Sequence, residues 1–268
     1  MESRMKIVAA AALMSVLAMG SARAEGEEAE VSASLDVPVL SAYVWRGLVL
    51  NDEAVVQPTL TVAKGGFAIN WWGNYNLTDN VTGDEYEFSE HDISLSYSAV
   101  CPLTGAGMTI GVVNYDFPNP LVDGDGNATL VADTAEIYLI AAFTDVLLSP
   151  TLSVYYDTKE ADGFYGSLGI SHSLELSEQA SLNLAASLGA ASEDWGSYYY
   201  GVEDYDDGLN DWSVSASIPF AVNDSWTVTP GVSYTALLGD SEDSIDATGF
   251  YFGEDDHVVG SLKASYAF

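Results

Sequence analysis

The chain is short of cysteine, of basic residues and of long apolar segments. Its single cysteine, Cys101, excludes an intrachain disulfide, and we expect it to fill apolar space at a turn rather than to do redox chemistry. Only 7 lysines and arginines stand against 40 aspartates and glutamates, which excludes nucleic acid as a partner because phosphates require basic clusters. After residue 24 no apolar segment approaches the ~20 residues of a membrane-spanning helix.

The first 24 residues are predicted to be a signal peptide that is cleaved. Arg4 and Lys6 precede an apolar stretch at 7–19, and Ala22-Arg23-Ala24 is a small-residue cleavage site. Segment 25–30 is then expected to be a short acidic periplasmic lead-in, and 31–268 the folded domain.

The mature chain is strongly acidic. Removing the leader, with Glu2 and its three basic residues, leaves 4 basic and 39 acidic residues, a net charge of −35. The natural counterparts of such a charge are cations, or a high-salt surrounding that screens its self-repulsion.

Apolar and polar residues alternate along most of the remaining sequence. In segment 66–77, Phe67, Ile69 and Trp71 share one face, and Asn70 and Asn74 share the other, which is the period of a β-strand. The polar faces hold Ser, Thr, Asn and Gly rather than the charged surface residues of a soluble sandwich. Bulky residues outside and small polar residues inside indicate a membrane barrel. The predicted strands lie near residues 31–46, 54–63, 66–77, 88–100, 107–116, 132–143, 146–157, 164–176, 180–190, 211–222, 226–238 and 257–268.

The connections between these strands alternate in length. Those after the even-numbered strands are short, for example Lys64-Gly65 and Thr144-Asp145, whereas most of the others are longer, and those near 47–53 and 158–163 are intermediate. In an outer-membrane barrel the short turns face the periplasm and the long loops face outward. By position, 30 of the 39 mature acids fall in the outer connections and their strand shoulders. We therefore predict an all-β fold, a transmembrane antiparallel up-and-down barrel of about 12 strands in the outer membrane of a Gram-negative-type bacterium, with ten or fourteen strands left open.

The chain ends on an aromatic residue. Val258, Leu262, Tyr266 and Phe268 share the apolar face of the last predicted strand. This strand resembles the closing strand of outer-membrane barrels, which implies that Tyr266 and Phe268 form the signal for the barrel-assembly machinery. Other aromatics are expected at the two membrane interfaces. They are Tyr43, Trp45, Tyr155, Tyr156, Trp212 and Tyr234 on the outer side and Trp226 with the two terminal residues on the periplasmic side.

The motif Ser41-Ala-Tyr-Val-Trp-Arg-Gly47 ends the first predicted strand. It resembles the Ser-x-Tyr-x-x-Arg-Gly signature of the TorF-type porin family, with matches at Ser41, Tyr43, Arg46 and Gly47. The resemblance implies an outer-membrane, porin-like barrel. Arg46 has lumen parity, so it either contacts solutes at the mouth or is held by carboxylates of the lumen wall.

Two groups of acidic residues are candidate ion sites. Asp36, Glu90, Asp92 and Glu136 have lumen parity and form either a pore-lining charged ring that selects counter-ions or simply solvated wall residues. Asp123, Asp125 and Asn127 resemble the start of a calcium loop. Ala128 and Thr134 stand where that loop needs Gly and Glu, so a flexible acidic turn is favoured, with loose binding of Ca²⁺ or another divalent cation left open. No other cofactor is predicted.

These features favour passive diffusion of small hydrophilic solutes, with a bias toward cations. The alternative is a non-conducting surface protein whose acidic loops bind divalent cations, lipopolysaccharide or a partner. A lipid-hydrolysing barrel would need a Ser/His pair on its wall. His172 lies between Ser171 and Ser173, but neighbours in a strand point to opposite faces, so we expect no enzyme.

Overall fold

The computed structural model describes residues 30–81, 85–119, 121–122, 128–129, 132–248 and 251–268. Within them, twelve strands form one closed antiparallel barrel, as predicted. The first and last barrel strands close it, with Leu35 paired to Tyr266 and Val39 to Leu262. The predicted signal peptide and residues 25–29 of the lead-in lie outside the described residues. No helix in the described part of the chain is long and apolar enough to cross a membrane.

The barrel strands agree with the predicted ones, most of them to within three residues. They are β1 (Ser32–Leu40), β5 (Thr59–Lys64), β6 (Phe67–Asn76), β7 (Phe88–Val100), β8 (Gly107–Asp116), β11 (Thr134–Ala142), β12 (Thr151–Asp157), β13 (Phe164–Glu175), β14 (Ser181–Ala191), β15 (Gly208–Ser217), β17 (Trp226–Leu237) and β18 (Asp256–Ala267). The shorter elements are β2 (Tyr43–Trp45), β3 (Leu48–Asn51), β4 (Val55–Val56), β9 (Leu121–Val122), β10 (Ala128–Thr129), β16 (Phe220–Ala221), α1 (Glu193–Tyr200), α2 (Asp240–Thr248) and a 3-10 turn at Tyr251–Gly253.

The alternating apolar and polar residues of the sequence face the outside and the inside of the barrel, respectively. On β7, Ile93 and Leu95 are 56% and 54% exposed on the outside, whereas Ser94 and Ser96 are buried inside. The same outward exposure recurs around the barrel, at Leu139, Leu152, Leu168, Leu184, Val214, Val232 and Leu262. A closed sheet satisfies every strand edge, and an apolar exterior suits hydrocarbon. The barrel is therefore built to span a bilayer.

One predicted turn is wrong. The reversal that starts at Thr144-Asp145 is not a two-residue turn but continues to Pro150, and the next strand begins at Thr151 rather than near 146. Leu148 and Ser149 adopt positive φ angles of 63° and 39°, and the Val146 amide donates to the Phe143 carbonyl at 3.1 Å. The apolar residues near 146–148 thus form part of a longer turn, which their hydrophobicity had disguised as strand.

The first predicted strand is also wrong in its second half. β1 ends at Leu40, where the Ser41 amide donates to the Gly260 carbonyl and Ser41 Oγ accepts from the Gly260 amide, both at 2.9 Å. Residues 43–51 form a hairpin, β2–β3, that is a separate two-stranded sheet. Segment 47–53, predicted as an outer loop, therefore contains the return strand of this hairpin. Tyr43 and Trp45 keep the parity of Val37 and Val39, so the sequence pattern did not reveal the break.

The hairpin folds into the barrel lumen together with two helices that the sequence did not predict. Ser192 Oγ accepts from the Trp195 amide at the start of α1, and Gly201 ends the helix with φ 67°. We call β2–β3, α1 and α2 the plug. With inward wall residues it forms one buried core. Its members are Leu48, Tyr138, Ile140, Tyr155, Ala161, Tyr165, Ala191, Trp195, Tyr200, Tyr205, Leu237 and Ile245. Aromatic side chains thus line the lumen on the side of the long loops, and small polar side chains line it on the side of the short turns.

Candidate functional site

Arg46 lies at the turn of the hairpin and reaches the barrel wall. Its Nη1 and Nη2 donate to Oε1 and Oε2 of Glu136 at 2.6 and 2.7 Å. The guanidinium carbon lies 4.4 Å from the ring centre of Trp45, and 4.5 and 4.4 Å from those of Tyr155 and Tyr165. Two parallel hydrogen bonds and stacked aromatic faces are the strongest environment that proteins offer a guanidinium. Arg46 is therefore a fixed attachment of the plug to the wall.

Glu136 is fully engaged by this contact. Tyr115 Oη donates to Glu136 Oε2 at 2.8 Å, beside the two hydrogen bonds from Arg46. Burial, the largest single effect, lowers the pKa of Arg46, but the Glu136 carboxylate together with the nearby Tyr115 and Tyr165 hydroxyls outweighs it, so that pKa is raised. A buried pair of this kind contributes little net stability, yet removing one partner leaves an uncompensated charge. The pair thus specifies where the hairpin sits.

Gly47 allows the hairpin to turn next to the wall. Arg46 and Gly47 have φ angles of 50° and 87°. A Cβ on Gly47 would lie 2.3 Å from Leu237 Cδ2 and 2.9 Å from Asp211 Cβ. Both the backbone conformation and the space therefore require glycine at this position.

Tyr43 makes a second attachment of the hairpin to a wall carboxylate. Its Oη donates to Glu90 Oε2 at 2.9 Å, and its ring lies 5.5 Å from that of Trp72. Burial, and then the Glu90 charge, raise the pKa of Tyr43 well above its ordinary value, so it stays a proton donor at neutral pH. Together with Ser41 at the end of β1, the four residues of the motif all position the hairpin.

The four predicted lumen carboxylates point into the lumen but do not form a single group. Glu90 and Asp92 are neighbours on the inner face of β7, and Asp92 pairs across the sheet with Tyr115, the donor to Glu136. Asp36 is three strands away, on β1. There it accepts from Ser265 Oγ and faces Lys263 Nζ at 3.7 Å. Only Glu90, Asp92 and Glu136 share one part of the wall.

Comparison with known proteins places this architecture in a family. Residues 24–266 match a family described as "Bacterial protein of unknown function (Gcw_chp)". The chain belongs to the Gcw_chp family. No curated protein sequence matches it.

Solved structures show the same fold. The chain superposes on the COG4313 outer membrane channel from Pseudomonas putida F1 with a TM-score of 0.54 at 7% identity, over 93% of this chain and 98% of that one. It also resembles a KdgM porin in complex with disordered oligogalacturonate (TM-score 0.49, 10% identity, 88% and 99% covered) and the NanC porin (0.47, 12%, 87% and 98%). The likeness to the first structure shows the fold, and with the apolar exterior the Gcw_chp chain has the build of a membrane-spanning β-barrel.

Several residues of the Gcw_chp site were not singled out by the sequence. Asn210 Nδ2 donates to the Arg46 carbonyl and to Asp211 Oδ1, both at 2.8 Å, and Asp211 also accepts from Tyr165 Oη. Asp211 was counted among the loop acids, although it shares the parity of Ser213 and so could have been assigned to the lumen. The role of Trp195 carried no such signal, because it depends on a helix that packing stabilises.

The interfacial aromatics divide into two groups. Trp226 and Tyr266 lie 4.8 Å apart on the outer surface, Tyr266 and Phe268 likewise, and the Phe268 side chain is exposed. The expectation that Tyr43, Trp45 and Tyr155 lie at the outer membrane interface is wrong. All three belong to the lumen, because the hairpin turns inward and Tyr155 has lumen parity on β12.

The calcium-loop candidates Asp123, Asp125 and Asn127 lie outside the described residues. Within the described ranges, no group of three or more His, Cys, Asp or Glu side chains is arranged to hold a metal ion.

Proposed function

We propose that this Gcw_chp protein is a porin-like channel that passes small hydrophilic solutes by passive diffusion, along a path narrowed by the plug. The observation that carries the proposal is the lumen wall on the side of the short turns. Ser98, Ser171, Ser173, Ser215 and Ser217 line it, small, hydroxylated and only half-buried. Such a wall suits a hydrated path, whereas a purely structural barrel interior would be filled by larger side chains. The fold shared with an outer-membrane channel and the TorF-type signature at residues 41–47 support it.

A bias toward cations is proposed from the charge of the lumen. Asp36, Glu90, Asp92 and Asp211 face inward, and the two inward basic side chains among the described residues, Arg46 and Lys263, face carboxylates. An excess of carboxylates in a confined space raises the local concentration of cations and repels anions. The acidic outer loops extend the same potential beyond the mouth.

The rival function is a non-conducting surface protein, and the plug favours it. Leu48, Val49, Trp195 and Tyr200 are completely buried, so part of the lumen cross-section is filled by packed side chains. In that case the acidic loops would bind divalent cations, lipopolysaccharide through those cations, or another partner.

A planar bilayer separates the two functions. Purified, folded protein under a KCl gradient is expected to conduct, with a reversal potential on the cation-selective side. The selectivity should fade at high salt, because the screening length falls from roughly 10 Å at 0.1 M to 3 Å at 1 M. Inserted protein that does not conduct under any gradient or voltage would favour the surface-binding function.

Biogenesis adds one proposed partner. Tyr266 and Phe268 end the closing strand on its outward face, where an incoming chain presents its last residues to lipid and to other proteins. We propose that the barrel-assembly machinery recognises these two side chains.

A further inference from the structure

Glu90 and Asp92 form a carboxylate pair that makes no ion pair with a basic side chain in the described part of the chain. They lie two residues apart on the inner face of β7, within hydrogen-bonding reach of each other. Glu90 is buried and accepts one hydrogen bond from Tyr43. Asp92 Oδ1 is also buried, and no hydrogen-bond donor reaches it from any described residue.

Three donors around this pair are committed elsewhere. Tyr115, opposite Asp92 across the sheet, donates to Glu136. Asn74, opposite Glu90, donates its Nδ2 to Asn76 Oδ1 at 3.0 Å and to Ser89 Oγ at 2.8 Å. Arg46 is held by Glu136 in two parallel hydrogen bonds. Among the described residues, the surroundings therefore provide oxygen atoms and negative charge, and these three side chains do not neutralise it.

Two adjacent carboxylates in a desolvated space are costly unless something compensates their charge. A structural role would be fulfilled by supplying Asp92 with a donor, as Tyr43 does for Glu90. The orphaned oxygen of Asp92 instead points to a ligand that brings its own positive charge. Carboxylate oxygens are the ligands that hard divalent cations select.

We propose that Glu90 and Asp92 bind one divalent cation of the Ca²⁺ type, with water completing its coordination shell. The inference deepens the proposed function, on which it rests only in taking the lumen as a path for cations. With two protein ligands the site is weak and exchangeable, as a site within a pathway must be. Tyr43 links it to the plug, because the same Glu90 carboxylate holds the hairpin.

Isothermal titration of the purified mature barrel with CaCl₂ at neutral pH tests this site. Wild type is expected to bind one Ca²⁺ more than the variant Glu90→Gln/Asp92→Asn. The matched control is Glu203→Gln/Asp204→Asn, which removes two exposed loop acids and should keep the lumen site while losing only surface binding. Tyr43→Phe keeps both carboxylates but loses the group that orients Glu90, so its affinity for Ca²⁺ should fall roughly 10-fold.

Folding is checked by heat-modifiable electrophoretic mobility. If the double variant does not fold, Asp92→Asn alone leaves the Tyr43–Glu90 hydrogen bond intact and should still abolish the extra site. Equal Ca²⁺ stoichiometry in wild type and folded lumen variants would overturn the proposal. So would a wild type that binds no Ca²⁺ in the lumen and only shares a proton between the two carboxylates. A barrel that binds Ca²⁺ here but does not conduct would overturn the proposed channel and leave this site standing.

Discussion

Arg46 shows how far the environment of a residue decides its role. As a rare basic residue near the predicted mouth of an acidic pore, it was a candidate for contacting solutes. In the structure its hydrogen bonds go to Glu136 and its faces are covered by Tyr155 and Tyr165. Lysine cannot reproduce this arrangement, because a compact ammonium neither forms a parallel pair of hydrogen bonds nor stacks.

Arg46→Lys should therefore loosen the hairpin while leaving the barrel intact. Breaking a buried pair costs about 3–5 kcal/mol when one partner is removed outright, and a lysine that keeps part of the contact should cost less, about 2 kcal/mol. Hydrogen exchange followed by mass spectrometry is expected to show faster exchange in residues 43–51 and unchanged exchange in the barrel strands. The matched control is Asp36→Asn, which breaks the partly exposed pair with Lys263. Equal protection of the hairpin in wild type and Arg46→Lys would contradict the attachment.

Comparing alanine substitutions at Gly47 and Gly105 separates the cost of a positive φ angle from the cost of a steric clash. Gly47 and Gly105 both have positive φ, 87° and 73°, but a Cβ on Gly105 meets nothing within 4 Å. Gly105→Ala should cost only the ~1–2 kcal/mol of a left-handed alanine. Gly47→Ala adds a clash with Leu237 and Asp211, so it should displace the hairpin and increase its hydrogen exchange. If both alanines have the same effect on residues 43–51, the close packing described for Gly47 is wrong.

At the scale of elements, the sequence predicted those strands whose two faces meet different solvents. The predicted bounds of 88–100 are those of β7, because lipid on one side and a polar lumen on the other impose alternation on it. The bounds of 107–116 are those of β8, although the parity of that segment is the least decisive of the predicted strands. The plug contacts neither lipid nor open water. Its hairpin arms, Tyr43-Val-Trp45 and Leu48-Val-Leu50, are apolar at every position, and α1 is a short helix that depends on packing by Trp195 and Tyr200.

Alkaline pH should release the plug before it opens the barrel. Burial raises the pKa values of Tyr43, Tyr199 and Tyr205, with nearby carboxylates adding to the shift at Tyr43 and Tyr199. Their folded-state pKa values thus exceed the unfolded value of about 10. Their contribution to stability is complete below pH 10. It is lost as pH rises from 10 through the folded-state pKa values, because over this range the unfolded state releases protons that the folded state still holds.

Phenolate absorbance and tryptophan fluorescence, recorded together during an alkaline titration, measure this release. A fraction of the tyrosines should ionise only above pH 10, together with a change in the fluorescence of Trp45 and Trp195, which pack in the plug. Tyr43→Phe should remove one tyrosine from that late group. Ionisation of every tyrosine near pH 10 with unchanged fluorescence would contradict the burial of these rings.

At the scale of the whole molecule, the sequence predicted the barrel, its strand number and the lumen parity of four carboxylates. It did not predict what fills the lumen. A uniformly polar interior was expected, whereas the half near the long loops holds an aromatic core that involves Tyr138, Tyr155 and Tyr165 from the wall. Those tyrosines have lumen parity in the sequence, but parity alone does not distinguish a water-facing ring from one that packs against a plug.

Assembly of the barrel should depend on the side chain of Phe268. The Phe268 amide donates to the Ala33 carbonyl at 3.0 Å and so helps to close the barrel, while its ring lies exposed. Phe268→Ala keeps this backbone hydrogen bond and removes only the aromatic ring, so it should reduce the mature protein in the outer membrane. Deleting the residue removes both and should reduce it further. Quantitative immunoblotting of outer-membrane fractions measures the effect. Unchanged insertion of both variants would show that the assembly machinery does not recognise the Phe268 ring.

The central claim is that a plug held by Arg46 and Glu136 narrows a cation-biased pore. Single-channel conductance in planar bilayers tests it with Arg46→Ala and Glu136→Gln, which both release the hairpin but change the lumen charge in opposite directions. The account predicts that both variants conduct more than wild type, while Arg46→Ala becomes more cation-selective and Glu136→Gln less so. Conductances that move in opposite directions would mean that charge alone sets the current. Conductances that stay at the wild-type level would contradict the plug.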